Sequence, residues 1–388
     1  MKRILQLVCL IALLPSPLYA DSRQRIDSEQ VSFTLEKVIE GLGVPWSMAF
    51  ISDDQLLVTE REGHLKLIDT SKKTLTPLQG APAVLAEGQG GLLDVAVPPD
   101  FTPGNWIYFT LVRDKHGEGV TVLARARLTD SQLVQWQDLL ETQSATGTSH
   151  HFGSRIAFDE KGHVYFGVGD RGERPNSQNL GNHAGSVMRL TRDGRIPEDN
   201  PFVDRDAVLP EIWSYGHRNP QGMAYDAAHQ RLWLIEHGPR GGDEINLVLP
   251  GRNYGWPVIS YGKEYWGPKA VGEGTHREGM EQPVKQYTPS IAPGSLLLYS
   301  GKAFPAWQGN LFAGALKLRH LNRVTLSKSG KAIAEERLLT GLDERIRALA
   351  ESPQGWIFFS TDSGTIYVIK PVTESMGSDT IGFHWSAR

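Results

Sequence analysis

One phrase recurs six times along this chain, and it leaves few folds open. A short apolar strand is followed by a polar turn, an aromatic-rich strand, a polar loop and a third alternating strand. The six occurrences begin at Trp46 (WSMAFISDDQLLVTE), Gly91, Ser154, Pro220, Gly294 and Arg347 (RALAESPQGWIFFSTD). Their third strands read GHLKLID, VTVLARARL, GSVMRLTRDG, DEINLVLPG, LNRVTLSKSG and GTIYVIKP. Apolar residues alternate with a period of two, as in antiparallel strands, and the mature chain has no long stretch of helical spacing. Repetition of three or four antiparallel strands at intervals of roughly fifty residues is the signature of a propeller, whose radial symmetry leaves few exposed edges. A sandwich or barrel would not repeat the phrase. The expectation is an all-β chain: a six-bladed β-propeller of four-stranded antiparallel blades. Fourth strands are weakly marked, with EIWSYG at Glu211 as one candidate. Residues 260–290, rich in Gly, Pro and aromatics, read as a loop across one face.

The chain opens MKRILQLVCLIALLPSPLYA, with Lys2 and Arg3, an apolar run over 4–14, and Ala20 before Asp21. This reads as a secretory signal over 1–20, too short to span a membrane, leaving 21–388 as one propeller domain. The only cysteine, Cys9, lies in that signal, so the mature chain makes no disulfide. Taking Lys2 and Arg3 from the 40 basic residues leaves 38 against 44 acids, a net charge of −6. Neither nucleic acid nor an acidic membrane is favoured as partner. A monomer exported to the periplasm is expected.

In a propeller the starts of first strands and the ends of second strands open on one face. Before first strands stand Gln89, His150 and His151, Arg218 and Asn219, and Arg345 with Arg347. After second strands stand Asp170 and Arg171, His237-Gly238-Pro239, Lys317 and Asp362. Pro220 keeps Asn219 extended, and the hairpin that follows returns the chain so that Arg218 and Asn219 face Gly238 and Pro239. Arginines with a lysine, a glutamine and an asparagine suit a small, multiply anionic ligand, although propeller faces are polar in any case. By the same hairpin argument His151 and Asp170 are neighbours, either as a general base with its orienting carboxylate or as a pair capping two strands. The carbonyls of Gly238 and Pro239 offer oxygen ligands to calcium, and Asp243, Glu244 and Tyr254 could build a second oxygen site; the plainer alternative is that the glycines turn the chain and the acids face solvent. His150 and His151 are not read as metal ligands, because adjacent side chains on a strand point to opposite faces.

The runs GQGGLLDVAVPPDF, HFGSRIAF with VGDRG, GHRNPQGMAYD, EHGPRGGDEINLVLPGRNYGWP, GALK and ERIRAL together resemble the soluble dehydrogenases of glucose that depend on pyrroloquinoline quinone (PQQ), in particular their bacterial aldose sugar dehydrogenase branch. The likeness covers nearly the whole mature chain, with the motifs in order. It implies PQQ on the mouth, bound by Gln89, Arg218, Asn219, Lys317, Arg345 and Arg347. It further implies His151 as general base toward the anomeric hydroxyl of an aldose sugar, Asp170 as its orienting group, calcium (Ca2+) at Gly238 and Pro239, and a structural calcium at Glu244 and Tyr254. Electrons would pass to an unidentified acceptor. His150 and Phe152-Gly153-Ser154 depart from the glucose enzymes, and the loops look shorter, which implies a more open site and broader aldose use. Two other functions stay in view: a calcium-dependent propeller lactonase, and a non-catalytic binding propeller.

Overall fold

The computed structural model describes residues 24–372. The proposed signal 1–20, Cys9 and the tail beyond 372 lie outside them. Six antiparallel sheets stand around a central axis. Their innermost strands are Pro45–Phe50, Leu92–Ala96, Ile156–Phe158, Pro220–Asp226, Pro293–Leu298 and Ile346–Glu351. Numbered in that order as blades one to six, each innermost strand touches that of the next blade, and the sixth touches the first. The repeated phrase is thus the inner three strands of a blade.

Fourth strands are where sequence reading was weakest. Ile212–Tyr215 is the fourth strand of blade three, as expected. Thr74–Leu78, Gln132–Glu141 and Ala332–Leu338 complete blades one, two and five; they are half-exposed and so lack a clear apolar alternation. The fourth strand of blade four, Lys285–Tyr287, lies inside the stretch read as loop. Three residues are too few to show a period. The rest of 260–284 is irregular, as expected. Blade six is completed from the other end of the chain: Ser32–Ile39 pairs with Ile366–Pro371, and Gln24–Asp27 adds a fifth, outer strand. Phe33 on this closing strand is fully buried against Trp307, Phe312 and Phe359, so burial of apolar area fastens the ring shut.

The core lies between blades, where aromatics and branched aliphatics of facing sheets interdigitate. Trp233, Ile235 and Ile245 of blade four meet Leu311, Ala313 and Val324 of blade five. At the axis one side chain contacts every other blade. Arg155, on blade three, donates to Gln221 O (3.0 Å), Asp94 Oδ1 (3.0 Å), Trp46 O (3.0 Å) and Gly294 O (2.7 Å), with Arg347 O at 3.4 Å. Its guanidinium lies 4.0 Å over the Trp46 ring. Asp94 also accepts from Ile156 N at 2.7 Å and from the Ser47 hydroxyl. A buried ion pair with this many hydrogen bonds is satisfied. It lines a lower cavity of about 270 Å³, and three of its partners, Trp46, Gln221 and Arg347, line the upper one.

Candidate active site

The upper cavity, about 360 Å³, draws on all six blades: Trp46, Gln89, Phe152 and Gly153, Asn219 with His237, Leu316, and Arg345 with Arg347 and Asp362. Arg345 and Arg347 are two apart on an extended segment and so project to one side. Both reach Asp362, through Arg345 Nε (2.8 Å), Arg347 Nε (2.8 Å) and Arg347 Nη2 (2.9 Å). Burial alone would raise the Asp362 carboxyl, but Arg347 and Arg345 hold it below the usual range. The wall is therefore less cationic than a list of arginines suggests. Arg61 adds a guanidinium that the sequence reading missed. It follows the second strand of blade one, Gln55–Glu60, so the strand-end rule that picked out Asp170 and His237 would have found it.

His151 sits beside this cavity on the loop entering blade three. Its Nδ1 meets Asp170 Oδ1 at 2.6 Å, and its backbone N donates to Gln89 Oε1 at 2.9 Å. The second Asp170 oxygen accepts from Trp256 Nε1 at 2.7 Å, and Gly172 N donates to Oδ1 at 2.8 Å. The carboxylate thus fixes the ring with its proton on Nδ1. Nε2 has no protein partner among the described residues. Burial lowers the His151 pKa from its usual 6.5, outweighing the opposite pull of Asp170. The result is a neutral imidazole with one open basic nitrogen.

The backbone here is not the strand that sequence reading assumed. His151 has φ +60°, with Ser154 at +100° and Arg171 at +56°. Such left-handed residues are uncommon outside glycine and gather at functional sites. The turn brings the His150 and His151 rings edge to face, 4.7 Å apart, so the expectation that they point to opposite faces fails. Arg171 holds the turn: its guanidinium donates to the carbonyls of Ser144 (2.7 Å), Thr148 (2.7 Å), His150 (3.1 Å) and Gly119, and stacks on Phe152. Gly169 must be glycine, since a Cβ there would lie 2.5 Å from His151 O and 2.8 Å from Arg218 O.

Arg218 and Asn219 do face the Gly238 turn. Arg218 Nη1 donates to Gly238 O at 2.8 Å, and His237 N donates to Asn219 O at 3.1 Å. Asn219 Oδ1 accepts from Gly153 N, tying blade four to the His151 loop. Arg218 lines not the central cavity but a small one beside it, about 20 Å³, with Glu236, Gly238, Glu244 and Tyr254. That is room for one water or small ion. Burial, with Glu236 alongside, pushes Glu244 up to about 8. Asn246 Oδ1, with no hydrogen-bond partner among the described residues, is buried close by. The Tyr254 hydroxyl is committed, donating to Leu247 O (2.5 Å) and accepting from Leu249 N (2.8 Å), which leaves its carbonyl as the group it can offer. His237, between both cavities, is lowered by burial to about 3 and bonds Pro293 O at 2.6 Å. Lys317 stands apart, in an adjoining cleft with Arg240 and Lys263.

Six blades closing on a hub, with an oriented histidine beside a guanidinium-lined cavity, define a propeller enzyme class, and the chain belongs to it by sequence: it is a member of the Glucose / Sorbosone dehydrogenase family, whose model matches residues 42–369. Among individual proteins, it is 40% identical over 348 residues to the aldose sugar dehydrogenase YliI of Escherichia coli, covering 87% of this chain and 92% of that one. The crystal structure of the soluble aldose sugar dehydrogenase from Escherichia coli in the apo-form superposes with a TM-score of 0.84 at 38% identity, covering 88% of this chain and 100% of the other. The PQQ-bound aldose sugar dehydrogenase of Streptomyces coelicolor superposes at 0.72 with 26% identity, covering 87% and 98%. These relatives are oxidoreductases. Among the described residues no helix is long and apolar enough to cross a membrane.

Proposed function

We propose that this protein is an exported, PQQ-dependent dehydrogenase that oxidises aldoses at the anomeric carbon to lactones. The observation that carries this reading is His151, held by Asp170 at 2.6 Å with Nε2 open beside the central cavity. The cavity fits the cofactor: Gln89, Asn219, Arg345 and Arg347 present amide and guanidinium donors, and Arg61 on its wall, like Arg218 in the small cavity beside it, keeps a buried Nε with no acceptor among the described residues. Donors left unpaired in this way cost stability unless a ligand takes them. Arg218 and Lys317 would reach the cofactor's carboxylates from the flanks.

The chemistry supplied by bound PQQ is acceptance of the hydride from C1, with calcium as polarising cation, while the aldose gives up that hydride and one proton and leaves as the lactone. Proton removal is the protein's part. His151 Nε2 accepts the proton of the anomeric hydroxyl, and Asp170 stabilises the imidazolium that results. Gln89 holds the His151 backbone, and Arg171 fixes the loop around it. Gly238 and Pro239 would hold the calcium beside the cofactor through their carbonyls, Gly238 sharing its oxygen with Arg218. Glu244 and the Tyr254 carbonyl would hold a second, structural calcium in the small cavity, whose size, paired carboxylates and unpartnered Asn246 oxygen suit a cation.

The deciding measurement is a titration of chelator-treated protein with PQQ and calcium, following dye reduction with several aldoses and, separately, hydrolysis of a lactone. Saturable aldose oxidation that needs both additions is expected. Lactone cleavage without PQQ would replace this reading with a lactonase.

A further inference from the structure

The cleft that holds Lys317, about 300 Å³, is lined also by Arg240, Lys263, Tyr261, Thr288 and Pro289. The chain as a whole carries a net charge of −4, yet neither Arg240 nor Lys263, the two cations left once Lys317 is given to the cofactor, has an acidic partner among the described residues. The nearest acid in sequence, Glu264, is spent elsewhere, in a two-point pair with Arg174 at 2.8 and 2.7 Å. Two of the cations are held in register by the backbone. Arg240 N donates to Lys263 O at 3.2 Å and Lys263 N to Arg240 O at 3.1 Å, the exchange of bonds that puts opposed side chains on one side of an antiparallel pair. Tyr261 and Pro289 add apolar surface of the kind that meets the C–H face of a sugar ring.

The cleft and the mouth share no lining residue, but neighbouring positions of the chain serve each. Leu316 lines the central cavity and Lys317 the cleft; Gly238 lines the small cavity and Arg240 the cleft. The geometry points to this cleft as a subsite for a second, anionic group on the substrate, a carboxylate or phosphate remote from the anomeric carbon. The inference rests on the dehydrogenase reading and narrows it: the favoured substrates are acidic aldoses. Clustered guanidinium and ammonium groups bind such oxyanions through charge-assisted hydrogen bonds, and a concave site of this size suits a small molecule.

The test compares wild type with an Arg240→Gln, Lys263→Gln double variant, both loaded with PQQ and calcium. Initial rates are measured on glucuronate, glucose 6-phosphate and glucose. Wild type should favour one or both acidic sugars in kcat/KM, and the ratio between them shows whether carboxylate or phosphate is the better fit. That preference should shrink as salt is raised. The double variant should lose roughly tenfold to a hundredfold on the acidic sugars and change less than about twofold on glucose. Equal use of neutral and acidic aldoses by wild type, or a preference that survives in the variant, overturns the inference. So does a loss of PQQ affinity in the variant by fluorescence titration, which would give the cations to the cofactor instead. If no aldose is oxidised, the dehydrogenase reading fails, and calorimetric titration of the protein with glucuronate and glucose 6-phosphate still decides the cleft: binding abolished in the variant upholds the anion subsite, and no binding to wild type overturns it.

Discussion

Two histidine–carboxylate pairs in this molecule are alike in composition and far apart in what they can do. His151 meets Asp170 at 2.6 Å, and His217 meets Glu236 at 2.8 Å. His217 is fully buried, stacks on Tyr254, and spends its second nitrogen on Ser214 Oγ at 2.9 Å. Glu236 is equally committed, accepting from Arg218 N at 2.6 Å and Asn246 Nδ2 at 3.1 Å. In the first pair one nitrogen is held and the other is open. In the second both are held. The difference teaches that a base is made by the bond left out, since a nitrogen already engaged inside the protein cannot take a substrate proton.

The sharpest way to break this comparison is to remove each imidazole. His151→Ala should lower kcat by about 10²- to 10⁴-fold, the usual worth of a general base, while leaving PQQ affinity and thermal stability close to wild type. His217→Ala should do the reverse, destabilising the fold by about 3 kcal/mol because Glu236 and Ser214 lose a buried partner, with turnover per folded molecule kept within about tenfold. Melting curves and single-turnover rates on the two proteins read this directly. Equal inactivation by both would erase the distinction.

A smaller change keeps the ring and alters its holder. Asp170→Asn removes the group that orients His151 and raises its pKa, and kcat should fall by about 10- to 100-fold. The pH profile separates this from a structural loss. His151 must be neutral to accept a proton, so activity falls as pH drops through its pKa, which burial already places below the usual 6.5. With Asp170 gone the opposing pull disappears, so the acid limb of kcat/KM should move to still lower pH. An acid limb that stays in place, or moves up, would mean that some other group sets the profile.

The same contrast marks what sequence could and could not reveal. The blades were legible because the inner strands are largely buried and repeat their apolar pattern, and the His151–Asp170 and Arg218–Gly238 contacts followed from hairpin logic applied to strand ends. Arg155 was not legible. It stands in HFGSRIAF with no local pattern about it, and its five partners come from residues 46 to 347, which only the closed ring brings together. The closing strand Ser32–Ile39 was missed for the same reason: its partner is more than three hundred residues away. The left-handed turn at His151 escaped because an ordinary residue gives no sign of positive φ, whereas a glycine would have.

The gentlest expected effect tests the second pair's surroundings. Glu244 sits with Glu236 at a cavity of about 20 Å³, and among the described residues its carboxylate has only Asn246 Nδ2, at 3.2 Å, as a hydrogen-bond donor. Glu236 has three partners of its own, in His217, Arg218 N and Asn246, but Glu244 has no second donor among the described residues, and neighbouring carboxylates repel each other unless a cation lies between them. Calcium should therefore stabilise the wild-type protein with the logarithm of its concentration, by about 2.7 kcal/mol at a hundredfold excess over Kd. Glu244→Gln removes one of the charges. The variant should fold without calcium and gain little or nothing in Tm when calcium is added, while His151 chemistry in the PQQ-loaded protein changes least of all the substitutions considered. A calcium-dependent Tm gain that persists undiminished in Glu244→Gln would move the structural ion away from this cavity. The buried pair His217–Glu236 would then need some other reason for sitting beside a second carboxylate.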